Sequence, residues 1–558
     1  MSRSDDEAPR AQGDPWPVVR GRRIGSDEEW HAVIAQLRER APAAIGLWVG
    51  PDPARGRHDA DDWRGAQPGP VGLAVADDDE GEATSWSLDP AHGPGPEPLL
   101  AWLAEPHAPY VVTHGAQTTL HRLLQWAGRD DGPLPARLGC TQTAAVLLAE
   151  GTRRGSPSLA EVVERALARP WPLESPELPL AQPEPGVAAA TAASVLVPLM
   201  RAMTPMLRRR ELARVFDLEC HLVPAVIDME RAGVGVDAAA FQRIVDGWVR
   251  EQATATEPDR QARLAKLVST YGYWPREYMA GDRIHCRLHP LAADSGRFSC
   301  TEPNLQQVPS NHVAPGLRAC FRPPPGRALI VADYAQIELR VAAHLAPCEA
   351  LRAVFRDGRD PHRATAATLT GKPEAEVSDR ERQLAKAVNF GFLFGMGAPR
   401  FRSYAQDSYG LELEMSEARR AREAFLRTFP GIARWHGRVS ALGRGPTASA
   451  VTVRTELGRR KRFVPGKLSF NAALNIPVQG TAADGFKLAM IRLRPRLAEL
   501  GGRGILCVHD EYLAEVPSER AEEARAIVEH TMQAAMQEVV TSVPIVVEAH
   551  VAESWADK

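Results

Sequence analysis

Two apolar segments in the C-terminal half of the chain run into acidic residues, and this pattern narrows the possible folds more than any other. ALIVAD (328–333) predicts a buried strand that ends at Asp333. GILCVHDEYLAEV (504–516) predicts two strands joined by a turn that carries Asp510. In one sheet, these two aspartates could meet. Carboxylate oxygens suit Mg²⁺, and two ions about 3.5–4 Å apart form a clamp for in-line phosphoryl displacement.

A helix is predicted between these strands, over DRERQLAKAVNFGFLFG (379–395). Arg382, Lys386 and Phe390 recur every four residues and therefore share one face. The two cations could bind a triphosphate and neutralise its developing charge, and the phenyl ring would then lie against a sugar or base. A strand ending in Asp or a solvated helix face is common in ordinary structure. The joint presence and order of these patterns favour a phosphoryl-transfer site.

Charge is distributed unevenly along the chain, although the net charge is only −3. Residues 1–200 hold 17 Lys and Arg against 28 Asp and Glu, whereas residues 201–558 hold 50 against 42. Residues 351–500 are the most basic, with 27 against 14. This distribution favours a region that grips phosphates, although a solvated basic surface would give the same count.

Cysteine spacing and hydropathy bear on the class of protein. Seven cysteines contain no CxxC pair, which argues against a disulfide framework and against a zinc site. We see no apolar run long enough to span a bilayer and no secretory leader, so a cytoplasmic protein without a membrane partner is expected. The polar, proline-containing residues 1–25 predict a disordered lead-in.

The chain divides into two patterns of predicted structure. Residues 26–205 alternate short apolar runs with amphipathic stretches, an α/β pattern interrupted by a Pro/Glu-rich linker at 169–186. From Arg208 onward the sequence pattern changes and predicts a long helix that ends at Gly233. We therefore place the main domain boundary near 205.

Three segments resemble the polymerase motifs of the family A DNA polymerases: ADYAQIELR (332–340), RQLAKAVNFGFLFG (382–395) and VHDE (508–511). Further segments match the family in its own order, namely SGRFSCTEPNLQQVP (295–309), DPHRATA (360–366), FPGI (429–432) and LNIPVQGTAAD (474–484). The resemblance covers residues 206–558. It implies an α+β right-hand polymerase domain with a thumb remnant at about 235–275, fingers at about 346–455 and palm for the remainder.

The resemblance implies roles around the two aspartates. Asp333 and Asp510 would hold two Mg²⁺ ions together with the backbone carbonyl of Tyr334, and Mn²⁺ is expected to substitute. Whether Glu511 is a further ligand or only a neighbour of the ligands stays open. Lys386 would protonate the pyrophosphate leaving group.

The resemblance also implies contacts with substrates. Glu338 would be the steric gate that excludes a ribose 2′-OH. The other residues implied to bind the nucleotide are Arg382, Lys386, His362, Phe390, Gln336 and Tyr334. The residues implied to contact primer or template are Arg297, Asn475, Gln479, His509 and Phe394. Phe394 stands where the family usually has Tyr, and Asn471, where it usually has Arg, receives no role.

Residues 26–205 resemble the RNase H-like 3′–5′ exonuclease domain of the family but lack its acids. AAIGLWVG (43–50) has no Asp-x-Glu, Thr119 stands where an Asp is expected, and residues 186–197 contain neither Tyr nor acid. The acidic run DDDE (77–80) reads as a solvated loop. We therefore expect the exonuclease fold without its activity.

Two further departures concern whole regions. No residues precede the exonuclease-like part that could form the family's 5′-nuclease domain, so that domain is expected to be absent. In the thumb, only residues 253–261 (ATATEPDRQ) separate segments that relatives join by a long helical pair. Nine residues are too few for two helices that lie along a duplex, at about 1.5 Å per residue.

The sequence therefore predicts a bacterial DNA-directed DNA polymerase of the cytoplasm and nucleoid, with primed DNA and dNTPs as partners. Low processivity, no proofreading and a role in replication or repair are expected. One alternative is an RNA polymerase with the same palm, which Glu338 and Phe390 argue against. Another is a silent DNA-binding scaffold, which the intact Asp333 and Asp510 argue against. Whether a protein partner compensates for the short thumb stays open.

Overall fold

The structure, a computed structural model, describes residues 19–51, 68–76, 83–132, 134–153, 155–168, 171, 185–442 and 450–557. The chain forms two compact units. The first ends at Ala232 and the second begins at Gly233, except that Glu150–Thr152 belong to the second. The division therefore comes later than the predicted boundary near 205, because helices on both sides of that position pack within the first unit.

The described part of the first unit contains six strands and seven helices. The strands are β1 (Val19–Arg23), β2 (Ala44–Val49), β3 (Val71–Ala76), β4 (Ala83–Leu88), β5 (Tyr110–Thr113) and β6 (Leu138–Cys140). The helices are α1 (Asp27–Arg40), α2 (Glu97–Leu103), α3 (Ala116–Trp126), α4 (Thr141–Leu148), α5 (Leu159–Leu167), α6 (Pro185–Arg209) and α7 (Ala213–Ala232). The sheet order is β1-β4-β3-β2-β5-β6. Strands β4, β3 and β2 run antiparallel, whereas β5 and β6 continue parallel to β2.

Helix α6 packs across β2, β3 and β4 at very short range. A Cβ on Gly46 would lie 2.1 Å from the carbonyl oxygen of Ala193, and one on Gly72 would lie 2.0 Å from that of Ala189. By length and composition α6 could cross a membrane, contrary to the expectation that no such run exists. However, 67% of this apolar stretch is buried within the protein, as in the core helix of a folded domain.

Part of the segment predicted as a disordered lead-in, residues 1–25, forms a strand. Strand β1 lies within it and pairs with β4 in parallel, from Val19 opposite Ala83 to Arg23 opposite Ser87. Residues 1–18, the acidic run at 77–80 and most of the predicted linker lie outside the described residues.

The second unit contains the predicted catalytic strands. Its strands are β7 (Val234–Gly235), β8 (Met279–Ala280), β9 (Arg283–Ile284), β10 (Arg287–His289), β11 (Ser299–Thr301), β12 (Arg327–Tyr334), β13 (Val451–Arg454), β14 (Arg460–Phe463), β15 (Arg503–Val508), β16 (Glu511–Pro517) and β17 (Val547–Ala552). The main sheet has the order β15-β16-β12-β17 and is antiparallel throughout. The others form the small sheets β7-β9-β8, β10-β11 and β13-β14.

Helices make up most of the rest of this unit. They are α8 (Ala238–Thr254), α9 (Pro258–Tyr271), α10 (Trp274–Glu277), α11 (Ile337–Leu345), α12 (Glu349–Arg356), α13 (Pro361–Thr370), α14 (Asp379–Leu393), α15 (Ala398–Tyr409), α16 (Met415–Thr428), α17 (Pro430–Leu442), α18 (Phe470–Ala498) and α19 (Ala521–Val539). Helices α18 and α19 pack against each other beside the main sheet. The ring of Phe486 on α18 meets those of Tyr334 and Tyr512 edge to face, at 6.0 and 6.3 Å.

Helices α8 and α9 form a pair at the position of the predicted thumb remnant. Residues 253–261 form no helix of their own: they end α8, supply a three-residue link and begin α9. Trp248 and Tyr271 pack between the two helices at 6.2 Å, and Tyr271 also meets Trp274 at 4.8 Å.

Candidate active site

The main sheet brings the two predicted aspartates together at one end. Strand β12 carries Asp333 opposite Glu511 of β16. A two-residue turn joins β15 to β16, with His509 at a φ of +58° and Asp510 directly after it. The position of Asp510 near Asp333 therefore follows from the hairpin register, because Asp510 directly precedes Glu511, the residue opposite Asp333.

The electrostatics of this pair suit a cation. Burial and the nearby Asp333 carboxylate raise the pKa of Asp510 to about 7. A divalent ion would relieve this like-charge conflict, and the donors are hard oxygens. Among the described residues, no group of three or more His, Cys, Asp or Glu side chains could hold a metal. The two carboxylates are oxygen donors of the kind that Mg²⁺ prefers, and Mg²⁺ commonly takes few protein ligands and completes its shell with water and phosphate.

Two neighbours of the aspartates face elsewhere. The Tyr334 hydroxyl donates a hydrogen bond of 2.8 Å to the carbonyl of Met532, so this side chain belongs to the core and leaves only the backbone for the site. Glu511 is 4% exposed, and Trp555 Nε1 donates to its Oε1 at 3.3 Å. This contact favours a positioning role for Glu511 over a ligand role.

Glu338 is held by two residues that were predicted to contact DNA. Its Oε1 accepts hydrogen bonds from Arg297 Nη2 at 2.7 Å and from Gln479 Nε2 at 3.1 Å. Gln336 caps the same helix, α11, at a φ of +49°. The structure thus brings Arg297 and Gln479 to the Glu338 carboxylate, and Arg297 and Glu338 lie close enough to Asp510 to act on its charge.

A buried ion pair, missed by sequence reasoning, lies under the loop that presents Arg297. Arg459 donates to Asp484 Oδ1 from Nε at 3.0 Å and from Nη2 at 2.6 Å. Thr455 donates to the other carboxylate oxygen at 2.7 Å. A Cβ on Gly296, whose φ is +81°, would lie 2.4 Å from Arg459 Nε, so glycine is required there. The sequence signal that could have indicated this ion pair was Asp484, an acidic residue inside a largely apolar predicted helix.

The helix predicted to bind the triphosphate packs against α13. Arg382 Nε donates to Asp360 Oδ2 at 2.6 Å, and the other oxygen of Asp360 accepts from the backbone N–H of His362 at 2.7 Å. The His362 ring lies 5.8 Å from that of Phe390. Burial lowers the pKa of His362 to about 4 against the opposing charge of Asp360, and Arg382 and Lys386 lower it further. Asp360 lay in a matched segment but had been given no role.

Three remaining predicted residues lie on other elements. His509 is exposed at its turn. Asn475 Oδ1 on α18 is buried and has no hydrogen-bond partner among the described residues, which leaves an acceptor for a ligand. Phe394 ends α14, and its carbonyl accepts from Asn471 Nδ2 at 2.6 Å. Asn471 therefore links α18 to the end of α14.

The architecture defines a right-hand polymerase fold. It is similar to the solved structure "POL domain of Pol1 from M. smegmatis complex with DNA primer-template and dNTP", with a TM-score of 0.78 over 96% of this chain and 99% of that chain. At 24% identity, this likeness shows the fold. The sequence profile of DNA polymerase family A matches residues 235–557, and the chain belongs to that family.

Curated relatives agree with this assignment. The chain is 40% identical over 306 residues to the thermostable DNA polymerase I of Thermus filiformis, covering 53% of this chain and 35% of the relative. It is 35% identical over 282 residues to the DNA polymerase I of Aquifex aeolicus, covering 50% of this chain and 47% of that relative. The matched region thus spans less than half the length of these bacterial relatives.

Proposed function

We propose that the protein is a DNA-directed DNA polymerase that adds dNTPs to a primer 3′-OH and releases pyrophosphate. The observation that carries this proposal is the meeting of Asp333 and Asp510 at one end of the main sheet, in a chain of family A. The chemistry requires the 3′-oxygen to bond to the α-phosphorus while the bond to the bridging oxygen breaks. A place in the bacterial cytoplasm and nucleoid, in replication or repair, follows from this proposal.

The proposed metal ligands are Asp333, Asp510 and the backbone carbonyl of Tyr334. Two Mg²⁺ ions, or Mn²⁺ in their place, would supply charge neutralisation and activation of the 3′-OH. The paired carboxylates would hold these ions at the end of the main sheet. Glu511, held by Trp555, would keep the hairpin end in place.

The remaining side chains act on the nucleotide and the DNA. Arg382, Lys386 and His362 would bind the triphosphate, and Lys386 would donate a proton to the leaving pyrophosphate oxygen. Because Arg382 pairs with Asp360 in this structure, the triphosphate would have to compete for the guanidinium. Glu338 would fill the space of a 2′-OH, and Phe390 would pack on the sugar.

The subdomain assignments remain part of this proposal. The thumb remnant at about 235–275 corresponds to α8 and α9, the fingers at about 346–455 to α12–α17 and β13, and the main sheet to the palm. We assign residues 26–205 to an inactive RNase H-like exonuclease domain, supported by the antiparallel strands β4, β3 and β2 followed by parallel β5 and β6.

The proposed loss of exonuclease activity is supported by packing as well as by the missing acids. The backbone of α6 lies directly on Gly46, in the strand where the first acidic motif is expected. Thr119, in place of the second acid, is 2% exposed and donates to the carbonyl of His114 at 3.3 Å. We therefore expect no Mg²⁺- or Mn²⁺-dependent degradation of mismatched primers. Degradation that persists in a D333A preparation would contradict this assignment.

Primer extension tests the proposed function directly. A primed DNA template with Mg²⁺ should be extended with dNTPs and far less with NTPs. Extension with NTPs alone would favour an RNA polymerase. No extension with either substrate, by protein that still binds primed DNA, would favour a silent DNA-binding protein.

A further inference from the structure

The environment of His362 determines which of its ring nitrogens carries a proton. Asn389, on α14 and 0% exposed, places Nδ2 at 2.9 Å from His362 Nδ1 and at 3.1 Å from the carbonyl oxygen of Pro361. Its Oδ1 accepts a hydrogen bond of 2.7 Å from the Thr365 hydroxyl, which also lies 3.0 Å from the carbonyl oxygen of Pro361. All of these contacts are buried, so each polar atom requires a partner of the opposite kind.

The orientation of the Asn389 amide follows from these distances. If the amide were reversed, Oδ1 would face the Pro361 carbonyl oxygen at 3.1 Å, and two acceptors would oppose each other without a proton. In the observed orientation Nδ2 donates to Pro361 and to His362, and Oδ1 accepts from Thr365. Because Nδ2 can only donate, His362 Nδ1 must accept. A neutral imidazole that accepts at Nδ1 carries its proton on Nε2.

The second nitrogen of His362 is available to a ligand. Among the described residues Nε2 has no hydrogen-bond partner. It is also not one of the fully buried polar atoms that lack a partner, so it keeps contact with solvent. The charged groups that act on this ring are Asp360, which precedes α13, and Arg382 and Lys386 of α14. Two cations against one anion disfavour an imidazolium.

We propose that Thr365 and Asn389 are positioning residues that set the tautomer of His362, so that a neutral ring presents an Nε2–H donor to the triphosphate. This inference rests on the proposed function for the identity of the ligand, but the tautomer does not. A neutral donor binds phosphate oxygens without a charge that titrates near neutral pH. Phosphate binding at His362 would therefore be constant over the range in which a free histidine changes its charge.

The first experiment measures the tautomer in the full chain without catalysis. Selectively ¹⁵N-labelled histidine in deuterated protein would be examined by NMR at pH 7, and H362Q would assign the His362 signals. We expect one nitrogen bearing a proton, with Nε2 protonated and Nδ1 not. A wild-type protein with a proton on Nδ1, or on both nitrogens, would overturn the proposal.

The second experiment uses variants of the two positioning residues, Asn389 and Thr365. N389D places a carboxylate beside Nδ1, which should stabilise the imidazolium and raise the pKa of His362 towards neutrality. The kcat/KM for dNTP of this variant, divided by that of wild type, should then change by about tenfold per unit of pH over which the ring titrates. T365V removes the hydroxyl that orients Asn389, and its KM for dNTP should rise by about tenfold, the loss of one buried hydrogen bond.

The control is T368V, the same change on the same helix. Among the described residues the Thr368 hydroxyl donates to the Ala364 carbonyl alone, at 3.2 Å, so KM should stay within about twofold of wild type. An N389D protein that is folded and has the wild-type pH profile would contradict the proposed role of Asn389. If wild-type protein extends no primer, the proposed function fails, whereas the NMR result for His362 still decides the tautomer.

Discussion

At the scale of single residues, the closeness of Asp333 and Asp510 destabilises the folded protein but is needed for the proposed ion binding. Burial and the nearby Asp333 carboxylate raise the pKa of Asp510 to about 7, so the ionised pair is costly in the absence of a cation. We expect D333A or D510A to lower nucleotide incorporation by roughly a thousandfold or more, because each removes one proposed ion ligand. Single-turnover extension of a primed template measures this loss.

The matched control for this prediction is E499A, which removes an exposed carboxylate at the end of α18. Its extension rate should equal that of wild type. Extension by D333A or D510A at the wild-type rate would contradict the two-ion assignment.

Glu338 is the second residue whose role depends on its exact placement in space. Arg297 and Gln479 hold the Glu338 carboxylate in one place, so the intact side chain occupies that space. Truncation to alanine would empty it. E338A should raise the ratio of kcat/KM for rNTP over dNTP, while incorporation of dNTP remains measurable. Steady-state insertion of one matched nucleotide of each kind checks the ratio. An unchanged ratio would remove Glu338 from the role of gate.

At the scale of elements, α18 organises the site through one buried face. Gly480, Asp484 and Lys487 follow at intervals of four and three residues and so lie on the same side of the helix. A Cβ on Gly480 would lie 2.7 Å from the carbonyl oxygen of Ser295. Lys487 Nζ donates to the carbonyl of Pro290 at 2.9 Å. This face therefore holds the loop that carries Arg297 to Glu338.

Breaking the buried ion pair on this face should be costly. D484N leaves the Arg459 guanidinium, which is 4% exposed, without its full counter-charge. We expect a loss of about 3–5 kcal/mol in the free energy of unfolding, measured by urea titration. The sugar selectivity of the enzyme should also fall, because the Arg297 loop loses its support.

An exposed ion pair between α18 and α19 provides the comparison. Arg492 contacts Glu538 through two hydrogen bonds of 2.6 and 2.8 Å at the surface. E538Q should cost at most about 1 kcal/mol, since solvent screens exposed ion pairs. Equal destabilisation by D484N and E538Q would show that burial of the Asp484 pair does not matter.

At the scale of the whole molecule, the grip on duplex DNA is the predicted weakness. Residues 238–271, which form α8 and α9, contain five basic and four acidic residues. Each phosphate contact made by Lys or Arg adds to binding and to its salt dependence. A nearly neutral helical pair therefore offers few such contacts. We expect the basic residues of 351–500 to serve the nucleotide and the template near the site instead.

We therefore expect low processivity. With a DNA trap present, the protein should extend a primer by only about a few nucleotides per encounter at physiological salt. Activity should be best on short gaps. A variant with added charge, D246K/D259K, should lengthen the products and steepen their dependence on salt. Long products from wild-type protein in a single encounter would contradict the thumb interpretation.

The sequence by itself determined the local features of this protein. It placed strands at 328–333 and 504–516, a turn at Asp510 and a helix that carries Arg382, Lys386 and Phe390, because these depend on periodicity and turn chemistry over a few residues. The family assignment, carried by motif order, is confirmed. The missing acids in residues 26–205 are also visible without a structure.

Only the tertiary structure decided which distant residues meet. Glu338 is bonded to Arg297 across 41 residues of sequence and to Gln479 across 141, and no local pattern reports such pairs. The strand at Val19–Arg23 exists because β4 completes its hydrogen bonds, and the unit boundary at Ala232 follows from the packing of α6 and α7. Periodicity in the sequence shows which face of a helix or strand is buried. Which other element covers that face depends on packing and on the pairing of buried polar groups.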